Sequence, residues 1–420
     1  MQASDFHSDQ GDPVNDQNPV SAAKPDSSYL GFLTRLCPLI VACALLNSCV
    51  SQRSVLWHGP NATVSSVAAA KAAGVVSAEP KAIVPIFVAT SRKESGKLSN
   101  PYGEGRSSTV SFSRIDVGIP IFHNPGLVEK TRYKPDSAKH FVARQMVKFS
   151  GQRQFKDELD AALATKSSKD KEVVIFIHGY NNNFADSTFR AAQFAHDYRI
   201  NSVMVHYAWP SAGALDLYVY DRDSANFARR GLAELLKVAA TTDAKRVYII
   251  GHSMGGFVTM EALRTLALSQ ERKTLKRLNH IVLAAPDIDL DVFENQLAEI
   301  GPPLPMSVVV SRRDNALGVS SVLTGGARLG DGTAIERMRR RGISVMDASE
   351  VDGGGHSAFA SSPSLIALIS EGSHLAENLV AMDHEQASAG GTSPITKAAS
   401  MIIYAPATVA DALTGGNGSP

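Results

Sequence analysis

Cysteine is scarce in this chain: the 420 residues contain three, Cys37, Cys43 and Cys49, all near the N-terminus. Because none lies downstream, the body of the protein can hold neither a disulfide bond nor a thiolate metal site. An excess of one charge is missing too, since 42 Lys and Arg balance 41 Asp and Glu to a net charge of +1. That balance argues against a nucleic-acid-binding protein. No apolar run reaches the roughly 20 residues of a transmembrane helix, which argues against a polytopic membrane protein.

The chain does contain enough apolar material for a folded core. Hydrophobic residues make up 44% of it and charged residues 20%, which is too apolar for a wholly disordered protein. The length allows one large domain or two ordinary ones. We therefore expect a soluble globular body, flanked by two ends of different composition.

A short apolar segment lies immediately before the last cysteine. It follows Arg35 and ends in the small residues of Leu46–Cys49, which is the layout of an export signal and too short to span a bilayer comfortably. The ending resembles the lipobox of bacterial lipoproteins. That resemblance implies lipidation of Cys49 and an exported, periplasmic protein anchored to the membrane. A plain buried helix or an uncleaved anchor is the alternative.

Composition divides the chain into four parts. Residues 1–49 read as a polar, disordered leader followed by the signal, and residues 50–81 as a linker rich in Ser, Ala and Val. Residues 82–370 carry the regular patterns of a folded domain. Residues 371–420 form a low-complexity tail, in which Ile395–Leu413 could make a weak amphipathic helix.

The domain alternates apolar, β-branched runs with amphipathic stretches. The predicted strands are Ile83–Ala89, Val173–Ile177, Ser202–Tyr207, Arg246–Ile250, His280–Ala285, Ser307–Val310 and Ile343–Met346. The predicted helices are Phe184–Tyr198, Ser224–Ala240, Phe257–Leu268 and Ser364–Ile369. Continuously apolar strands separated by helices predict an α/β fold with a mostly parallel central sheet and helices on both faces. Val110–Ile121 alternates more and could supply an antiparallel edge.

One short motif carries chemistry. Gly251–Gly255 reads Gly-x-Ser-x-Gly and lies between a strand-like and a helix-like run. A nucleophile elbow has this arrangement, because its serine occupies a strained backbone conformation at a sharp strand-to-helix turn. Glycines two residues before and after Ser253 let the strand and the helix approach each other. The start of the helix also places the backbone N–H of Met254 where an oxyanion would develop.

Three stretches together resemble a known family. Phe176–Phe184, Tyr207–Ser211 and Gly251–Gly255 occur in the order and spacing of one bacterial branch of the esterase/lipase superfamily, long catalogued as a domain of unknown function. Residues 82–369, about two thirds of the chain, resemble an α/β-hydrolase. The resemblance implies the α/β-hydrolase fold and a catalytic triad, but almost nothing about the substrate.

The triad partners follow Ser253 in the order acid, then histidine. His356 lies in a glycine-rich loop after the last predicted strand, whereas its rival His374 lies in the polar tail. Asp314 follows a strand at its C-terminal end, where catalytic groups of parallel sheets collect, and the resemblance also puts the acid there. Asp287, after the preceding strand, is the alternative acid.

The second oxyanion donor should follow the strand Val173–Ile177. The family resemblance makes it the backbone N–H of Tyr180. The asparagines of the next three positions, 181–183, either line the mouth of the site or cap the helix near Phe184, and for at least one of them we favour capping.

These residues predict a serine hydrolase that cleaves carboxylic esters through an acyl-enzyme intermediate. We expect no metal and no cofactor, because the sequence has no Cys/His ligand cluster and no phosphate-binding glycine loop. The expected partner is a small-molecule or lipid-like ester, not a nucleic acid. A thioesterase, an amidase or peptidase, or an acyltransferase on the same triad remains open, and so does a non-catalytic scaffold lipoprotein.

Overall fold

The computed structural model describes residues 54–56, 79–97, 99–131, 135–370 and 402–404. The predicted leader, Cys49, most of the linker, His374 and most of the tail lie outside these residues. Among the described residues, no helix combines the length and the apolarity needed to cross a membrane.

The described residues form ten strands and ten α-helices. The strands are β1 (Ala82–Lys97), β2 (Asn100–Ile119), β3 (Val142–Phe149), β4 (Glu172–Ile177), β5 (Val203–Ala208), β6 (Arg246–His252), β7 (Leu278–Ala284), β8 (Met306–Val310), β9 (Ser344–Asp347) and β10 (Ile402–Tyr404). The helices are α1 (Gln152–Ala164), α2 (Phe184–Asp197), α3 (Tyr218–Ala240), α4 (Met254–Leu268), α5 (Arg272–Lys276), α6 (Leu290–Ile300), α7 (Asn315–Thr324), α8 (Ile335–Arg340), α9 (Ala358–Ser361) and α10 (Pro363–Ser370).

The strands form one sheet in the order β10-β9-β8-β7-β6-β4-β5-β1-β2-β3. The seven strands from β9 to β1 in this order are parallel to their neighbours. Every residue of β4 and β5 is buried, as expected of central parallel strands covered on both faces. The predicted mostly parallel sheet is confirmed.

Helices cover both faces of this sheet. The apolar residues of α2, α9 and α10 belong to one core cluster, together with one side of the strands. Those of α1, α3, α4, α6 and α8 belong to the cluster on the other side. Because parallel strands all end at the same edge, the loops that follow β4, β5, β6 and β8 meet there.

The antiparallel part of the sheet is larger than the sequence suggested. β1 and β2 pair as one long hairpin, and β3 pairs antiparallel with β2 at the edge. Residues 110–119 are thus antiparallel as predicted, but the edge of the sheet is β3 and not this strand; β3 and α1 were not predicted. Mixed polar and apolar residues in β3, three of them half-buried, explain why no simple pattern marks it.

The C-terminal segment corrects one expectation. Within the predicted helix 395–413, residues Ile402–Tyr404 form the strand β10, paired antiparallel with β9. A β-branched and aromatic run favours this pairing, and the pairing covers the edge of β9. The described part of the predicted linker also contacts the fold: Leu56 is fully buried, and the backbone N–H of Ser54 donates to Asp186.

Candidate active site

Ser253 occupies the sharp turn between β6 and α4. Its backbone has φ 54° and ψ −124°, a left-handed conformation that costs free energy in a residue other than glycine. Its N–H donates to the Ala284 carbonyl oxygen at 2.9 Å, and its own carbonyl oxygen accepts from Gly256 at 2.9 Å. These bonds hold the strained turn in place, as a nucleophile elbow requires.

The two glycines of the motif allow close packing around Ser253. A Cβ at Gly251 would lie 2.7 Å from the Thr259 hydroxyl, within the elbow itself. A Cβ at Gly255 would lie 2.4 Å from the carbonyl oxygens of both Ile177 and His178, at the end of β4. A Cβ would therefore meet the Thr259 side chain and the first turn of α4 at Gly251, and the backbone at the end of β4 at Gly255, so glycine fits both positions.

We expect Gly255→Ala to lower the free energy of unfolding by about 3 kcal/mol, because the added methyl group meets backbone that cannot move aside. Gly318→Ala is the matched control. Gly318 lies inside α7 with no atom within 4 Å of an added Cβ, so this change should stabilise by about 0.5–1 kcal/mol. Chemical denaturation measures both variants, and equal stabilities would contradict the close approach at Gly255.

His356 and Asp314 are joined by a hydrogen bond. His356 Nδ1 lies 2.6 Å from Asp314 Oδ2. The other oxygen, Oδ1, accepts from the N–H groups of Ala316 and Leu317 at 3.0 Å each and caps α7. Asp314 therefore both caps a helix and orients the imidazole, and its side chain is fully buried. The cap fixes which oxygen faces the histidine.

Asp287, the alternative acid, is committed to other partners. Arg328 Nε lies 3.2 Å from its Oδ1, and Ser320 and Tyr218 donate to its two oxygens at 2.6 and 2.9 Å. Arg328 is 1% exposed, so Asp287 balances a buried positive charge. Asp287 has a structural role in this arrangement, although its N–H also donates to the Ser253 carbonyl oxygen at 3.2 Å.

His252 places the His356 loop next to the elbow. Its Nε2 lies 3.1 Å from the His356 carbonyl oxygen, and the two rings are 5.1 Å apart. Burial, with the nearby His356, lowers the pKa of His252 to about 4, so the ring is neutral and carries its proton on Nε2. Among the described residues, no hydrogen bond joins the Ser253 hydroxyl to the His356 ring.

The turn after β4 packs directly against Ser253. A Cβ at Gly179 would lie 2.9 Å from Ser253 Cβ, which brings the peptide that joins Gly179 to Tyr180 next to the elbow. Met254, the first residue of α4, is fully buried. The structure thus brings the two predicted oxyanion positions, Met254 and Tyr180, to the neighbourhood of Ser253.

Residues around this turn have structural roles. Trp209 is fully buried, its ring stacks on His178 at 4.9 Å, and its Nε1–H donates to the His178 carbonyl oxygen at 2.7 Å. The side chain of Asn183 caps α2 by accepting from Asp186 at 2.7 Å, which confirms the capping prediction. Trp209 therefore belongs to the core under the turn.

One group of described side chains has the composition of a metal site: His123, His196 and Asp197. Each ring nitrogen of His123 already faces a carboxylate, Nε2 with Asp197 at 2.7 Å and Nδ1 with Glu129 at 2.9 Å. A ring with an acceptor on both sides is an imidazolium, which has no lone pair for a metal. Burial alone would lower the pKa of His123, but the hydrogen bonds to Asp197 and Glu129 outweigh it and raise the pKa to about 9. We interpret the group as a buried ion network.

This network makes stability depend on pH above neutrality. The pKa of His123 rises from 6.5 to about 9 on folding, so its contribution is complete below about pH 6.5 and is lost as the pH rises through 9. We expect the free energy of unfolding to fall by roughly 2–3 kcal/mol between pH 6.5 and 10. His123→Gln should remove this dependence, measured by denaturation across pH. A flat wild-type profile would contradict the assignment.

The fold and the elbow together define an α/β hydrolase. A family model described as "Alpha/beta hydrolase of unknown function (DUF900)" matches residues 152–372. The match includes more than half of the chain, so the chain belongs to this family. No curated protein matches the chain.

Solved structures similar to this chain include lipases and esterases. Aspergillus fumigatus lipase B is 16% identical, with 54% of this chain and 58% of that chain covered and a TM-score of 0.32. A fungal esterase from Rhizomucor miehei is 12% identical, with coverages of 77% and 92% and a TM-score of 0.34. A serine hydrolase without a lid from Xanthomonas campestris is 13% identical, with coverages of 62% and 87% and a TM-score of 0.31. The chain thus spans less than two thirds of the Aspergillus lipase.

Proposed function

We propose that the protein is a serine hydrolase that cleaves carboxylic esters, with Ser253 as nucleophile, His356 as general base and acid, and Asp314 as the orienting acid. The observation that carries the proposal is the strained backbone of Ser253 at a strand-to-helix turn. Strain of this kind persists only where the surrounding structure enforces it, and in a nucleophile elbow it directs the serine hydroxyl at a reacting carbonyl group.

The hydrogen bond between His356 Nδ1 and Asp314 Oδ2 supports the other two roles. With Nδ1 donating to the carboxylate, the lone pair of Nε2 is free to accept a proton. His356 is also half-exposed, with 24% of its side chain accessible, so a substrate and a water molecule can reach it. Asp314 is buried and acts only through the imidazole.

In the proposed reaction, Ser253 Oγ forms a bond to the ester carbonyl carbon while His356 Nε2 takes the hydroxyl proton. The carbonyl oxygen becomes an oxyanion that the N–H groups of Met254 and Tyr180 stabilise. Collapse of this intermediate breaks the bond to the alkoxide, which receives the proton from His356. A water molecule, deprotonated by the same imidazole, then releases the acid and restores Ser253.

Hydrolysis of a substrate panel tests this proposal. The purified full-length chain is given p-nitrophenyl esters of graded acyl length, together with an acyl thioester and an anilide of the same acyl group. We expect the esters to be cleaved, and the acyl length with the highest kcat/KM to define the acyl pocket. Preference for the thioester or the anilide would assign a thioesterase or an amidase on the same triad. No turnover of any compound by the folded protein would overturn the proposal and favour a scaffold.

A further inference from the structure

Two loops meet beside the nucleophile, and neither supplies a member of the proposed triad. Residues 178–183 follow β4, and residues 209–217 follow β5, the parallel neighbour of β4. The first loop lies within the family motif Phe176–Phe184, and the second begins within the motif Tyr207–Ser211, but the proposed reaction uses only one backbone N–H from them. What fixes their geometry is a set of buried polar contacts.

Arg92, on β1, donates hydrogen bonds to both loops. Its Nη2 donates to the Asn182 carbonyl oxygen at 2.7 Å, and its Nη1 donates to the Ser211 and Gly103 carbonyl oxygens at 2.9 and 3.2 Å. The residue is 1% exposed. An arginine buried among carbonyl groups is costly unless a negative charge lies nearby, and burial lowers the pKa of Arg92 to about 10 while Asp221 opposes the change.

Asp221, in the first turn of α3, accepts hydrogen bonds from the same two loops. One oxygen accepts from the Ser211 hydroxyl at 2.5 Å and from the Asn181 N–H at 3.3 Å. The other oxygen accepts from the Ala212 N–H at 2.6 Å. Asp221 is fully buried, so its charge balances that of Arg92 across the loops.

Asn182 connects this set of contacts to the oxyanion position. Its Nδ2 donates to the carbonyl oxygens of Gly179 and Tyr180 at 3.2 and 2.8 Å, and its N–H donates to Ser211 Oγ at 3.1 Å. In a trans peptide the C=O and the N–H point in opposite directions. Because the Gly179 C=O points at the Asn182 amide, the Tyr180 N–H that shares its peptide points away from Asn182.

We propose that Arg92, Asn182, Ser211 and Asp221 form a positioning frame that holds the Gly179–Tyr180 peptide with its N–H directed at the reacting carbonyl oxygen. The four residues touch neither the substrate nor the reacting atoms, so they are positioning residues. The inference rests on the proposed serine hydrolase function. It assigns a role to both family motifs and explains why two opposite buried charges are held apart by the loops between them.

The test compares two neighbouring asparagines of the same loop in the full-length chain. Asn182→Ala removes the amide contacts to the Gly179 and Tyr180 carbonyl oxygens. Asn183→Ala removes the cap of α2 and a contact to the Ser54 carbonyl oxygen, neither of which involves the Gly179–Tyr180 peptide. We expect Asn182→Ala to lower kcat for the best ester about 100-fold with little change in KM, because a misplaced oxyanion donor affects the transition state. Asn183→Ala should keep kcat within about threefold while lowering the melting temperature.

Affinity for phenylboronic acid separates positioning from general stability. This compound forms a tetrahedral adduct with a reactive serine, so its dissociation constant should rise in parallel with the loss of kcat in Asn182→Ala and in Asp221→Asn. The pH profile of kcat/KM should keep its wild-type midpoint, because the frame does not touch His356. An Asn182→Ala variant with wild-type kcat, or an Asn183→Ala variant that loses kcat equally, would overturn the frame. A wild type that cleaves no ester would instead overturn the proposed function, and the frame's role with it.

Discussion

Replacing Ser253 by alanine is expected to reduce ester hydrolysis by a factor on the order of 10⁵ to 10⁶. The change removes the only atom that the proposed reaction bonds to the substrate, and what remains is stabilisation of the oxyanion by backbone groups. Ser253 is 2% exposed and its backbone bonds do not involve the hydroxyl, so the variant should fold normally. The measurement is kcat for the best ester, with the melting temperature recorded beside it.

His356→Ala is the companion to that variant. Removing the imidazole removes the only proposed acceptor of the serine proton, so the loss should be as large as for Ser253→Ala, and the double variant should lose no more than either single one. A Ser253→Ala protein that keeps a tenth of the wild-type kcat would show that the hydrolysis occurs elsewhere.

Replacing Asp314 by asparagine is expected to reduce kcat by about 10⁴-fold. Oδ1 of Asp314 caps α7 through two backbone N–H groups. In the asparagine variant the amide oxygen will take this capping position, because only an oxygen can accept these hydrogen bonds. The amide nitrogen is then forced towards His356 Nδ1, which must become an acceptor. The proton moves to Nε2, where it blocks the transfer from Ser253.

Asp287→Asn is the matched control, since Asp287 follows the neighbouring strand and was the other candidate acid. We expect kcat within about threefold of the wild type, and a loss of stability of about 3 kcal/mol, because Arg328 keeps a buried charge without its counterion. Kinetics and denaturation of the two variants settle the assignment. Loss of kcat in Asp287→Asn, with normal kcat in Asp314→Asn, would exchange the two roles.

The strands of the parallel sheet and the elbow could be predicted from sequence. Each strand from β4 to β9 is an apolar run, as in Val173–Ile177, and its predicted ends agree with the structure to within two residues. The strand predicted at Ile83–Ala89 continues to Lys97 in the structure, because its second half pairs with β2 in the hairpin. Ser253 could be located because a local pattern of glycines, a strand and a helix specifies the turn. Local patterns of this kind depend on residues that are adjacent in the chain.

The acid of the proposed triad, by contrast, could be narrowed from the sequence only to two aspartates. Asp314 and Asp287 both follow parallel strands, and the difference between them lies in distant partners: His356 is 42 residues beyond the first, and Arg328 pairs with the second. Arg92 and Asp221 were not predicted as residues of the site. A single charge shortly after an apolar run, as at Arg92 after the run predicted at 83–89, is the signal that could have found one of them.

The strands β3 and β10 and the His123 network were missed for a related reason. β3 has no strict alternation, and its pairing depends on β2, which precedes it by a long loop. β10 is three residues long and pairs with β9 across a long stretch of chain. His123 and Asp197 are 74 residues apart, and neither lies in a recognisable motif. Contacts between distant residues of ordinary composition leave no local sequence pattern.

Covalent labelling tests the central claim, that Ser253 is an activated nucleophile, most directly. The full-length wild type and Ser253→Ala are treated with a fluorophosphonate probe, and the modified peptide is identified by mass spectrometry. The account predicts one phosphonylated residue, Ser253, in the wild type and no labelling of the variant. A folded wild type that stays unlabelled, or labelling at another residue that persists in Ser253→Ala, would contradict it.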